Sequence, residues 1–188
     1  RAIMADPLWR GGQYYGEPVP AQGLAVARMV GHITYLSEAG MTAKFGRELR
    51  RPPADKFAPA FAVETYLSHQ GESFVGRFDA NSYLYITKAI DTFDLAAEAG
   101  SLEEALRPFR GRTLLFAYSS DWLYPPAQAK EIARAIRRNG GEVTYCELES
   151  SYGHDAFLLA DRRASSLISW FLAQDGPARG GEPDYPAS

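Results

Sequence analysis

A carboxylate and an imidazole, each lying just past an apolar run, are the side chains of this sequence best suited to chemistry. Asp121 follows the run Thr113 to Ser119, in a turn closed by Pro125 and Pro126. His154 follows the run Glu142 to Leu148, in the loop Ser151-Tyr-Gly-His-Asp-Ala-Phe157. One helix-length segment separates the two. An aspartate beside a histidine fixes the tautomer of the ring and stabilises its protonated form, while the ring takes and returns the proton of a nucleophile. Aspartate before histidine, each after its own strand, is the back half of a Ser…Asp…His triad. Taken singly, each residue has a plainer reading, since an aspartate after a strand is commonly a turn former or a helix cap. The pairing points to a proton relay.

The serine of such a triad has no place in these residues. A nucleophile on a strained strand-to-helix turn is flanked as Gly-x-Ser-x-Gly, and that motif does not occur. Ser119, Ser120, Ser150 and Ser151 lack flanking glycines and read as turn and hydrogen-bonding residues. The oxyanion donors, which come from that turn and an earlier loop, are missing too. A further charged group, Arg28, shares one face of its helix with His32 and Tyr35 by i, i+4, i+7 spacing. That face is either solvated or turned into a site roofed by helices. No metal site is expected: the three histidines are scattered and no HxxxH or CxxC occurs. No phosphate loop is expected either, as Gly11-Gly12 lacks the GxGxxG spacing.

The elements that must hold these groups divide the chain in two. Up to about residue 110 the signals are helical. Arg1 to Asp6 reads as a helix end stopped by Pro7. Val26, Met29, Val30, Ile33 and Leu36 recur at helical spacing over Leu24 to Leu36, with Gly40 as a terminator. Arg47 to Pro59 is a polar connection, and Phe61 to Gln70 a helix stopped near Gly71. Asp79 is a helix cap for a segment carrying Tyr83, Ile86, Ile90 and Phe93 on one face. Ser101 and Glu104 form a capping box. From residue 111 to 173 strand and helix alternate. Thr113 to Ser119 is a buried parallel-type strand. Ala127 to Asn139 is a helix with Ile132 and Ile136 inward, and Val143 to Leu148 a second strand. Phe157 to Leu172 is a long helix with Leu167, Ile168, Phe171 and Leu172 inward. Residues 174–188, rich in Gly and Pro, are expected to be disordered. Two parallel strands cannot stand alone, because both faces and both edges need cover. The chain also opens mid-pattern without a methionine, so a preceding N-terminal part is expected.

Bulk properties narrow the function classes. The chain has 188 residues, 46% hydrophobic and 23% charged, with a formal net charge of −3. That size allows one domain with a sizeable core, and the charge gives no footprint for nucleic acid. No run approaches the roughly 18 apolar residues of a spanning helix, so no membrane partner is expected. The opening residues do not read as a secretory signal. The single cysteine, Cys146, lies in a strand and reads as a buried small hydrophobe. A cytoplasmic location is expected.

With both loops in view, the sequence resembles the homoserine O-acetyltransferase family of α/β-hydrolase acyltransferases. The resemblance rests on Ala2-Ile-Met-Ala-Asp-Pro7, Gly23-Leu-Ala-Val-Ala-Arg-Met29, Gly31-His-Ile-Thr-Tyr35 and Lys44-Phe-Gly-Arg47. It continues through Tyr66-Leu-Ser-His-Gln-Gly71, Arg77-Phe-Asp-Ala-Asn-Ser-Tyr83, Ser120-Asp-Trp-Leu-Tyr-Pro-Pro126 and Gly153-His-Asp-Ala-Phe157. It implies the C-terminal part of an α/β-hydrolase fold, preceded by a helical lid over residues 1–110. It further implies Asp121 and His154 as the triad pair, and Arg28 and Asp155 as substrate-binding residues. The implied reaction carries an acetyl group from acetyl-CoA, a co-substrate rather than a cofactor, to the hydroxyl of L-homoserine. The serine would come from an N-terminal part that is absent here. A zwitterionic acceptor suits the residues: a guanidinium meets its carboxylate, and a carboxylate its ammonium. The resemblance also implies a homodimer through the lid helices. Serine or homoserine O-succinyltransferases, esterases of the same fold, and a non-catalytic lid and dimerisation fragment stay open as alternatives.

Overall fold

The computed structural model describes residues 1–50 and 61–174. Most of the Arg47 to Pro59 connection and the tail from residue 175 lie outside them.

Helix α1 (Ala2–Ala5) ends at Asp6, and Pro7–Gly12 forms a 3₁₀ turn. The Asp6 carboxylate accepts from the Leu8 amide at 3.0 Å and from the Gly23 amide at 2.8 Å. The second bond satisfies one of the orphan donors at the start of α2 (Ala21–Tyr35), where Pro20 offers no side-chain acceptor. The early chain is thereby pinned to the helix that carries Arg28 and His32.

Helix α2 stops at Leu36, four residues before the expected terminator. Ser37 caps a new helix, α3 (Glu38–Phe45), by accepting from the Gly40 amide at 2.9 Å. Gly40 therefore lies inside α3. Its smallness serves packing, since a Cβ there would sit 3.0 Å from the Ser151 carbonyl oxygen. Helix α4 (Ala62–Val75) likewise runs through Gly71. A Cβ on Gly71 would lie 2.9 Å from the Ala25 carbonyl oxygen and 3.0 Å from the Met29 methyl. The glycine lets α2 and α4 make their close crossing, and tertiary contact overrides its weak helix propensity.

Asp79 caps α5 (Ala80–Thr92), accepting from the Ser82 amide at 2.7 Å. Ile86, Ile90 and Phe93 are exposed, so the apolar stripe of α5 meets no described residue that covers it. Short helices α6 (Leu95–Ala99) and α7 (Leu102–Leu106) follow. Ser101 caps α7 through the Glu104 amide at 3.1 Å, while the Glu104 carboxylate pairs with Arg107 instead of closing the box.

Strands β1 (Thr113–Tyr118) and β2 (Val143–Leu148) pair in parallel, Thr113 opposite Val143 and Tyr118 opposite Leu148. Helix α8 (Pro126–Arg138) connects them. The ends of both strands are buried, but Thr113 to Phe116 of β1 is only half-buried. In α8, Ala133, Ala135 and Ile136 are buried whereas Ile132 is exposed, a shift of the inward face from the expected one. The expected final helix is two elements: a 3₁₀ turn Gly153–Leu158 and helix α9 (Arg162–Leu172), capped anew by Asp161. Leu167 packs inward, but Ile168 and Leu172 are exposed. A residue capable of capping, Asp161, let the chain restart where hydrophobic spacing alone suggested continuity.

Three apolar clusters hold the fold. One joins α1, α2, α4 and α5 through Ile3, Tyr14, Leu24, Phe74 and Ala80. One joins both strands to α9 through Tyr118, Leu148, Ala156 and Ala164. One joins α3 to α4 through Leu36, Phe45 and Ala62. Among the described residues no helix is long and apolar enough to cross a membrane.

Candidate active site

Parallel pairing in register brings the C-terminal ends of β1 and β2 side by side, so the loops leaving them meet. Ser119 Oγ accepts from the Ser150 amide at 3.1 Å, and Ser120 Oγ from the Gly153 amide at 3.0 Å. These serines are loop fasteners, as their sequence context suggests.

Asp121 is buried in the first loop. Its Oδ1 accepts from the amides of Leu123 at 3.0 Å and Tyr124 at 2.9 Å. These two bonds hold the carboxylate's orientation. Oδ2 is then directed to His154 Nδ1, 2.8 Å away. A carboxylate that accepts at Nδ1 places the ring proton there and leaves Nε2 as the basic nitrogen. The imidazole is boxed by Tyr35, Tyr124 and Phe157, with ring centroids 6.0, 5.1 and 5.3 Å away.

The second loop also sits on the end of α2. Ser37 Oγ donates to the Ser151 carbonyl, and Trp122 Nε1 from the first loop donates to the Leu36 carbonyl at 3.1 Å. Gly153 adopts φ +68° under this helix end. The site is thus a junction of three segments: the two strand-end loops and the α2–α3 corner.

Arg28 lies one face along α2 from that corner. Its guanidinium is 4.6 Å from the Phe74 ring centroid and 5.7 Å from that of Tyr35. Cation–π contact with Phe74 restrains its swing. Its Nε is buried with no hydrogen-bond partner among the described residues. Tyr35 touches both Arg28 and His154, which links the guanidinium to the proton relay. Asp155 is half-buried beside His154. It and Arg28 both act electrostatically on His32 and on Tyr66, with opposite sign.

His32 and Tyr66 are the residues of this site to which sequence reading gave no role. His32 is 8% exposed, and its Nδ1 lies 3.1 Å from the Tyr66 hydroxyl. Burial, reinforced by the positive Arg28, holds the His32 pKa below its usual value, so the ring is neutral at pH 7. Burial also pushes the Tyr66 hydroxyl up. The only signal in the sequence was the placement of His32 on the Arg28 face; Tyr66 joins it through the α2–α4 crossing. Among the described residues, no cluster of His, Cys, Asp and Glu is arranged to hold a metal.

No family model matches the chain. Curated relatives do. A homoserine O-acetyltransferase of Methanobrevibacter ruminantium is 52% identical over 178 residues, covering 93% of this chain and 36% of the relative. One of Solidesulfovibrio magneticus is 51% identical over 177 residues, covering 92% of this chain and 45% of the relative. Among solved structures, homoserine O-acetyltransferase from Bacillus anthracis superposes with a TM-score of 0.82 at 27% identity, covering 92% of this chain and 46% of that one. Esterase E22 superposes with a TM-score of 0.77 at 23% identity, over 91% of this chain and 47% of its own, and shows likeness of fold alone. The chain is therefore homologous to homoserine O-acetyltransferases over nine-tenths of its length, has the fold of part of an α/β-hydrolase, and spans less than half the length of these relatives.

Proposed function

We propose that this chain forms part of an O-acyltransferase that carries an acetyl group from acetyl-CoA to the hydroxyl of L-homoserine. The observation that carries the reading is the 2.8 Å contact between His154 Nδ1 and an Asp121 carboxylate fixed by two backbone amides, beside the opposite charges of Arg28 and Asp155. The curated relatives' names supply homoserine as acceptor and acetyl as the group transferred.

In the proposed reaction, His154 Nε2 takes the proton of a serine hydroxyl as that oxygen attacks the thioester carbonyl. The CoA sulfur leaves as the thiol, taking the proton from the imidazolium. The homoserine hydroxyl then attacks the acyl-serine, giving its proton to Nε2, and the serine oxygen leaves reprotonated. Asp121 stabilises the imidazolium in both halves. Arg28 holds the acceptor's carboxylate and Asp155 its ammonium. The serine belongs to polypeptide other than these 188 residues, which hold no Gly-x-Ser-x-Gly turn. The helices of residues 1–110 act as a lid that excludes water, favouring transfer over hydrolysis. The uncovered stripe of Ile86, Ile90 and Phe93 on α5 supports a homodimer through these helices. The enzyme works in the cytoplasm.

The test is thiol release from acetyl-CoA with and without L-homoserine, using the full-length polypeptide that carries these residues. Acceptor-dependent release, lowered at least about a thousandfold by His154→Ala, is the expected result. Turnover unchanged by that substitution, or ester hydrolysis that outruns transfer at saturating homoserine, would refute the reading.

A further inference from the structure

Two buried hydrogen-bonding atoms one turn apart on α2 have no partner among the described residues: Arg28 Nε and His32 Nε2. A buried polar group left unpaired is costly, so such atoms call for an explanation. Arg28 Nε is necessarily a donor. The character of His32 Nε2 follows from its other nitrogen. The Tyr66 hydroxyl has no acceptor among the described residues other than His32 Nδ1, 3.1 Å away. Donation of that proton to Nδ1 satisfies it within the protein, and in that arrangement the ring's own hydrogen is on Nε2. His32 thus presents a neutral N–H, parallel in function to that of Arg28.

The charged groups that act on His32 are the positive Arg28 and Lys44 and the negative Asp155. Two donors with a cation call for an anionic group, and an oxygen pair on one carbon accepts from both. We propose that His32 Nε2–H is a second donor to the carboxylate of the amino-acid acceptor, alongside Arg28, with Tyr66 holding the ring in that tautomer. This rests on the proposed function for the identity of the acceptor. A neutral donor adds orientation without adding a second positive charge, which would compete with binding of the acceptor's ammonium near Asp155. The ring's low pKa, set chiefly by its burial, keeps it in the neutral form.

The experiment is calorimetric titration of L-homoserine, and of its carboxamide analogue, into the full-length protein and its His32→Leu, His32→Gln and Tyr66→Phe variants. Loss of one hydrogen bond to a charged group weakens binding about ten- to hundredfold. His32→Leu is expected to weaken homoserine binding by that factor and to change carboxamide binding much less. His32→Gln, which offers an amide N–H in place of the ring's, is expected to restore most of the affinity. Tyr66→Phe is expected to fall between. Homoserine binding equal in His32→Leu and wild type overturns the inference, as does an equal loss for acid and carboxamide. So does a wild type that binds no homoserine. Because binding is read without turnover, a protein that binds homoserine through His32 yet transfers no acetyl group refutes the proposed reaction and leaves this subsite standing.

Discussion

Gly153 lies so close beneath Ser37 that a Cβ at residue 153 would sit 2.5 Å from the Ser37 amide nitrogen. It would also meet the Leu36 carbonyl carbon and the Tyr35 carbonyl oxygen at 2.8 Å. All three are backbone atoms and cannot swing away. The residue's φ of +68° is unfavourable for any side chain as well. Position 153 is where the loop carrying His154 rests on the end of the helix carrying Arg28, so one small residue sets the distance between the Asp121–His154 pair and that helix.

Gly153→Ala is therefore expected to destabilise the full-length protein by about 2–5 kcal/mol, combining left-handed strain with overpacking. Urea denaturation measures this. Because His154 is the next residue, activity is expected to fall even where the protein remains folded. A variant of wild-type stability would show that the corner opens freely.

Asp121→Asn tests the relay without removing volume. Asparagine can still accept from the Leu123 and Tyr124 amides, but its NH₂ would face His154 Nδ1 and stabilise the tautomer with the proton on Nε2. That tautomer cannot take a proton from a hydroxyl. In the proposed reaction kcat is expected to fall on the order of 10⁴-fold, the size of the same exchange in a serine protease triad. Steady-state thiol release, with circular dichroism to confirm folding, provides the measurement.

Tyr14 links the early chain to α5. It is buried, donates to the Asp79 carboxylate, and accepts from the Asn81 amide at 2.9 Å. Burial first, and the bond to Asp79 second, push its pKa up to about 12. The folded state thus prefers the protonated phenol. This contribution is complete below pH 10 and is lost as pH rises toward about 12. Tyr14→Phe is expected to cost about 1.5–3 kcal/mol at pH 8, as for a buried hydrogen bond to a charged group. It should also flatten the decline in stability between pH 10 and 12, read by denaturation at a series of pH values.

His32 predicts the opposite limb. Its pKa is lowered by burial and then by Arg28, with Asp155 opposing. Folding favours the neutral ring, so its contribution is complete above pH 6.5 and is lost as pH falls below that value toward the folded pKa. The acid-side loss of stability is expected to be shallower in His32→Gln than in wild type. Parallel curves from pH 7 to pH 5 would mean that the ring is not buried neutral.

The sequence by itself determined the two strands, the helix between them, the caps at Asp79 and Ser101, and the pairing of an Asp loop with a His loop. These follow from period, composition and chain order, which are local or nearly local properties. It did not determine what the glycines are for. Gly40 and Gly71 look like helix ends in one dimension and are points of close approach in three, because the Ser151 carbonyl and the α2 backbone arrive from distant sequence. Nor could spacing find the break before α9, where the Asp161 cap competes with continued apolar periodicity. The site shows the same division. Asp121 and His154 were legible because each follows its own strand. The tie of Tyr66 to His32, and the approach of the His154 loop to the Arg28 helix, exist only because α4 crosses α2 and the loop at Gly153 settles on the corner at Ser37. Burial then decides what those side chains can do: the same histidine in water would be an ordinary titrating group, and packed here its neutral form is favoured.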